Sequence, residues 1–214
     1  MMGNYFSSVR INWSLAWRHK DFRYKAFSAI LLMSVILSCF PVFFQYIENR
    51  KGAVLNDPVL QWIPAHDVYL FLFILVWSCA LLILIAAVRS PSVFLTFLLA
   101  YILLSLTRMA SIFLFPLEPP AGIISLVDPL ANHFYGARFV TRDLFFSGHV
   151  STGFLMYLCH REKFSKYYTL ISCCIVSILV LVQHIHYSVD VLFAFPIAYV
   201  CYRCAKVINR PNYP

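Results

Sequence analysis

The sequence predicts an all-α membrane protein, a six-transmembrane-helix bundle with its N- and C-termini cytoplasmic. Three observations predict it. Of 214 residues, 61% are hydrophobic and 12% charged, with a mean hydropathy of +0.76; a soluble domain carries about 45–50% apolar and about 25% charged residues. Apolar runs of roughly the 17–25 residues needed to cross a hydrocarbon core recur along the chain. Basic residues gather on one side of the implied topology, as the positive-inside rule requires.

The elements follow in order. Residues 1–25 form a basic amphipathic segment in which Trp13, Leu15, Trp17 and Phe22 alternate with Arg10, Arg18, Lys20, Arg23 and Lys25, a mixture suited to a helix lying in the membrane interface. Residues 26–207 form the transmembrane domain, with spans expected near 26–46, 68–88, 92–115, 144–160, 167–185 and 189–207. The fourth has the lowest hydropathy, because Ser147, His149, Ser151 and Thr152 give it a polar face, as expected where a helix lines a site instead of lipid. Residues 208–214 are a tail. No cleavable signal is expected, since the first charges precede a full-length span.

Six spans place the loop cations Arg89, Arg161, Lys163, Lys166, Arg203, Lys206 and Arg210 with the basic N-terminal segment on the cytoplasmic side, leaving Arg50, Lys51, Arg138 and Arg142 outside. The net charge of +8 is then topological and calls for membrane lipids, not nucleic acid, as its partner. Carboxylates run the other way: Glu48, Asp57, Asp67, Glu118, Asp128, Asp143 and Asp190 fall on the outer side, with His66, His133, His149, His184 and His186. Any chemistry therefore faces away from the cytoplasm. The segment from Pro116 to Asp143 is punctuated by Pro119, Pro120, Gly122, Pro129 and Gly136 and reads as a long functional loop. All seven cysteines lie in expected helices and the number is odd, so neither a disulfide nor a metal site is expected, and no cofactor.

Two helix mouths carry the candidate chemistry. His186 and Asp190 are four apart, so on a helix they would share a face, and the carboxylate would take the Nδ1 hydrogen bond and leave Nε2 as a nucleophile. At the other mouth, Gly148 lets a phosphate approach helix N-terminal amides, Ser147 adds a hydroxyl, and His149 is suited to protonating a leaving oxygen. Arg108, near the outer end of the third span, calls for an anionic partner: a substrate phosphate, or an internal ion pair with an outer carboxylate. Each histidine alone is more often a capping residue; the set with Asp190 makes the site.

These residues carry a resemblance. Asp143-Leu144-Phe145-Phe146-Ser147-Gly148-His149 and His184-Ile185-His186-Tyr187-Ser188-Val189-Asp190-Val191 resemble the paired signature of the sphingomyelin synthase branch of the type 2 phosphatidic acid phosphatase superfamily. Tyr101 to Arg108 with Ser111, then Phe115-Pro116-Leu117, is similar to that branch's preceding motif, and Asn56-Asp57-Pro58 with Asp67 to its earliest. The resemblance implies six spans and a double displacement: His186 attacks phosphorus, Asp190 orients it, and His149 protonates the departing lipid oxygen. It implies a phospholipid donor and a ceramide-like or other lipid hydroxyl as acceptor. Arg108, Ser147, Gly148, Asp143, Tyr187 and Glu118 are the expected phosphate- or substrate-binding residues, Glu118 and Asp128 being candidates for recognising a cationic head group.

The chain departs from the branch at Val150, where threonine is usual, and at Thr141-Arg142, where animal members have cysteine and glycine. It also lacks the hydrolase branch's marks: no lysine is followed seven residues later by arginine, and Val180 stands where that branch has arginine. Few cations suit a phosphodiester better than a dianionic monoester. The sequence thus favours a membrane lipid phospho-head-group transferase acting on the non-cytoplasmic face. A phosphoric ester hydrolase using the same histidines is the alternative, and a non-enzymatic transporter or scaffold the reading from another class.

Overall fold

The computed structural model of the chain describes residues 2–124 and 140–210. Asp128, His133 and Arg138 lie outside the described residues, as does the end of the tail.

The described residues form helices and loops with no strand, in the order α1 (Met2–Arg18), α2 (Lys20–Glu48), α3 (Pro58–Trp62), α4 (Tyr69–Arg89), α5 (Pro91–Leu114), α6 (Gly148–Cys159), α7 (Lys163–Val182) and α8 (Ser188–Asn209). Their boundaries follow capping chemistry. Asp57 accepts from the amides of Val59 and Leu60 ahead of Pro58, Ser90 accepts from Val93 ahead of Pro91, and Glu162 accepts from Phe164 and Ser165. α1 is an N-terminal helix separate from the first span, broken from it at His19 and anchored where the Trp13 indole donates to the Val88 carbonyl at 2.7 Å.

Five helices, α2, α4, α5, α7 and α8, are long and apolar enough to cross a membrane, which makes this an integral multi-pass membrane protein. They contain or closely overlap five of the expected spans. The fourth differs: helix begins at Gly148, not Leu144, and runs for 12 residues, about 18 Å, short of a hydrocarbon core of roughly 30 Å. The residues before it descend into the bundle as non-helical chain. Leu144, Phe146 and Ser147 are almost fully buried there, the condition under which irregular backbone is tolerated at membrane depth.

The bundle is organised around α5, which packs on α2, α4, α6 and α8. Small residues make the tightest approach possible: Ala100 of α5 and Ala194, Ala198 and Ala205 of α8 are fully buried. The outward surface is apolar, with Leu31 and Val42 of α2, Leu81 and Leu84 of α4, Ile178 of α7 and Leu192 of α8 all exposed, as in a lipid-facing bundle. One end is tied by Asn209, whose side chain donates to the Ser92 carbonyl and the Thr96 hydroxyl, and by Arg161, which donates to the Ser92 hydroxyl at 2.8 Å.

Loops close the other end. Residues 52–53 pair with 116–118, Ala53 donating to the Pro116 carbonyl at 2.9 Å and accepting from Glu118 at 3.0 Å. Gly52 is required there, because a Cβ would stand 2.5 Å from the Leu117 carbonyl carbon. His184 joins the same system: its ring nitrogens lie 2.9 Å from the Ala121 carbonyl oxygen and 2.8 Å from that of Ile63.

Candidate active site

The turn into α6 sets the position of the first histidine. Phe145 and Phe146 both take left-handed backbone, φ 61° and 55°, which costs a non-glycine residue on the order of 1–3 kcal/mol. Neighbours hold them there. The Ser111 hydroxyl donates to the Phe145 carbonyl at 3.3 Å, the Arg108 guanidinium donates through Nη1 to the Phe146 carbonyl at 2.8 Å, and the Phe146 ring is fully buried beneath that guanidinium. Ser147 then caps α6 through Val150, and Gly148 and His149 form its first turn.

Asp190 sets the second. Its Oδ2 accepts from the Tyr187 amide at 3.0 Å and faces Nδ1 of His186 at 3.3 Å. The sequence expectation that a shared helical face brings His186 and Asp190 together needs correction. α8 begins at Ser188, so His186 lies before the helix; Asp190, in its first turn, reaches back over the N-terminus to amide and imidazole together. The carboxylate is wholly buried, and the amide of Ser147 donates to the Asp190 carbonyl at 3.0 Å, fastening one helix mouth to the other.

The two imidazoles meet across a cavity of about 290 Å³, with ring centroids 6.5 Å apart and planes at 67°. Arg108, Asp143, Gly148, His149 and His186 line its head; Ser105, Thr152, Met156 and Cys173 line it further in, and Phe40, Phe44 and Trp77 line its side. Arg108 is six residues before the end of α5, so the head of the cavity lies roughly 9 Å below that helix end. For Arg108 the ion-pair alternative is realised, with Nη2 2.6 Å from Asp143 Oδ2. The other Asp143 oxygen is buried and has no hydrogen-bond partner among the described residues. Among those residues no group of three or more His, Cys, Asp or Glu side chains is placed to hold a metal ion.

Five of the expected site residues, His149, His186, Arg108, Gly148 and Asp143, thus share one cavity wall, and Asp190 stands directly behind His186. Ser147, Tyr187 and Glu118 do not line it. Tyr187 is buried away from the cavity, its hydroxyl donating to the Glu118 carbonyl at 3.0 Å and accepting from the Leu55 amide. Glu118 accepts from the Gly52 amide at 2.9 Å and pairs with Arg142 at 2.8 Å, which together hold its carboxyl below the usual glutamate value. Their geometry is that of loop ties.

Two ties escaped the sequence reading. Glu48, at the end of α2, accepts from the amides of Thr141 and Arg142 and from the Thr141 hydroxyl, while Arg142 donates back to the Glu48 carbonyl. Asp57 accepts from the Ser188 amide at 2.6 Å and the Ser188 hydroxyl at 3.0 Å, beside the two amides it caps in α3. Glu48 has no partner close in sequence, and the residues next to Asp57 account for its cap of α3 but not for its bonds from Ser188.

With this geometry in place, comparison with known proteins adds one finding. Residues 142–207, from just before the first histidine motif through most of α8, match the family model described as PAP2 superfamily C-terminal. The match supports the type 2 phosphatidic acid phosphatase superfamily, whose members are phosphoric ester hydrolases or phosphotransferases, and so an enzyme acting on phosphate esters. No curated protein and no solved structure matches the chain.

Proposed function

We propose that the chain is an integral membrane lipid phospho-head-group transferase that works through a phosphohistidine, moving phosphocholine or phosphoethanolamine from a glycerophospholipid to ceramide or a similar lipid hydroxyl. The observation that carries this reading is the His186–Asp190 pair facing His149 across a cavity between membrane helices.

In the first half-reaction Nε2 of His186 attacks phosphorus, and the bond from phosphorus to the diacylglycerol oxygen breaks. His149 gives its proton to that oxygen, and Asp190 stabilises the ring that now carries the phosphoryl group. In the second, His149 takes the proton of the acceptor hydroxyl, whose oxygen attacks phosphorus as the P–N bond breaks, restoring neutral His186. Arg108 stabilises the negative charge on the phosphoryl oxygens through the fork of its guanidinium. Since Asp143 already offsets one unit of its charge, a singly charged phosphodiester suits the site better than a dianionic monoester.

The distribution of basic residues supports placing both termini in the cytoplasm and the histidines on the opposite face. The second reading is hydrolysis through the same phosphohistidine. Hydroxyl side chains, among them Ser105, Ser151, Thr152 and Ser172, line the cavity and favour water as an acceptor.

Head-group-labelled phosphatidylcholine or phosphatidylethanolamine in mixed micelles, with and without ceramide, tests both. Label passing to ceramide with wild type and not with His186→Ala is the expected result. Water-soluble phospho-head group released regardless of ceramide would establish the hydrolase. No His186-dependent movement from any phospholipid donor would leave the transporter or scaffold reading.

A further inference from the structure

We propose that Asp57, in the loop between α2 and α4, is a positioning residue for the nucleophilic histidine. The inference rests on the reading of His186 as nucleophile.

Asp57 is nine-tenths buried although it lies in a loop, and both of its oxygens are engaged. Oδ1 accepts from the amides of Val59 and Leu60, at 3.0 and 3.3 Å, and from the Ser188 hydroxyl at 3.0 Å; Oδ2 accepts from the Ser188 amide at 2.6 Å. One carboxylate therefore caps two helices, α3 by its own sequence and α8 through Ser188, 131 positions further along the chain.

Ser188 stands midway between His186 and Asp190, and it is the first residue of α8. Its φ and ψ decide where the His186 ring falls relative to the carboxylate that holds Nδ1. Asp190 fixes the Tyr187 amide and Asp57 fixes the next one, so two successive amides at this helix mouth are held by two carboxylates from different parts of the chain. Tyr187 adds a parallel tie, its hydroxyl bonded to the Leu55 amide and the Glu118 carbonyl. The loop before α3 thus braces the segment from which the nucleophile projects, and Asp57 touches neither the cavity nor the imidazole.

Asp57→Asn separates bracing from simple stability. An amide side chain has one acceptor oxygen, so it can keep the cap of α3 but not also both bonds from Ser188. The full-length protein in detergent is compared as wild type, Asp57→Asn and the milder Ser188→Ala, which removes one of the Asp57 bonds and leaves the amides in place. The ring ¹⁵N signals of His186, assigned by their loss in His186→Gln, report the imidazole directly, with His160 at the other end of the bundle as control.

Asp57→Asn is expected to shift the His186 ring signals and leave those of His160 unmoved. It should lower kcat for the phospholipid donor about tenfold while KM stays within about twofold. Ser188→Ala should shift the same signals by less. Unmoved His186 signals in both variants would overturn the proposal, as would shifts spread equally over His186 and His160. If wild type has no His186-dependent turnover the transferase reading fails, and the ring signals still decide whether Asp57 positions His186.

Discussion

Gly148 lies so close to the Arg108 guanidinium that a Cβ at position 148 would stand 2.5 Å from Cζ and 2.5 Å from Nη1. The guanidinium cannot simply step aside, because Nη1 is bonded to the Phe146 carbonyl and Nη2 to Asp143. The first residue of α6 thus makes room for the charge at the head of the cavity.

Gly148→Ala is therefore expected to expel Arg108 from its clamp and lower phosphoryl transfer about 100-fold, with the protein still folded in detergent. Arg108→Lys keeps the charge but loses the fork, and should fall at least tenfold. Initial rates with labelled phospholipid, beside size-exclusion profiles, check both; wild-type rates in Gly148→Ala would show that Arg108 does no work at the site.

His186→Ala and Asp190→Asn should both abolish turnover, the second by about 10³–10⁴-fold, as expected when a carboxylate no longer holds an imidazole in one tautomer. Neither should unfold the protein, since His186 precedes α8 and an amide at 190 can still accept from the Tyr187 amide. Rates and melting in detergent are measured together. Loss of fold in His186→Ala would make that residue structural.

Glu48→Gln should cost about 1–2 kcal/mol, because an amide replaces a carboxylate that accepts three hydrogen bonds from Thr141 and Arg142. The loss should be the same in His186→Ala background, as the two sites share no partner; a thermal-shift double-mutant cycle tests this.

Acid should loosen the loop-closed end first. For Asp57, burial alone would raise the pKa, but bonds from the amide and hydroxyl of Ser188 and from the Leu60 and Val59 amides outweigh it, and the value falls below the ordinary 3.8. For Glu118, the Gly52 amide first and Arg142 next hold it below 4.5. Both carboxylates thus titrate lower folded than unfolded, so their contribution is complete above the ordinary values and is lost as pH falls through the folded ones. Melting temperature should be steady down to about pH 5 and decline below about pH 4, and the decline should be shallower in an Asp57→Asn, Glu118→Gln double variant.

The five long helices were legible because hydropathy over some twenty residues is a strong signal and membrane helices need little else. The histidines and Asp190 were legible from their spacing, although the reason given, a common helical face, was not the one the chain uses. What stayed hidden was set by contacts distant in sequence. Phe145 and Phe146 look like part of an apolar span, and their left-handed turn exists because Arg108 and Ser111 supply donors from α5. Tyr187 and Glu118 look like ligands by proximity to the motifs, yet their polar atoms are taken up by loop amides and carbonyls and by Arg142. Asp57 stands in the early motif and Glu48 at a helix end, yet neither position foretells the donors from Ser188, Thr141 and Arg142 that the fold delivers.

Ser92 has the opposite situation, at the far end of the bundle, where its carbonyl accepts from Asn209 and its hydroxyl from Arg161. A single residue there knots the start of α5 to the finish of α8 and to the turn joining α6 with α7. The protein consequently divides along its length: one end carries the facing histidines and the loop ties around them, and the other end only holds. Substitutions at the holding end should trade in robustness alone, so that half of the molecule is the place to look for thermal tolerance without disturbing how the two imidazoles face each other.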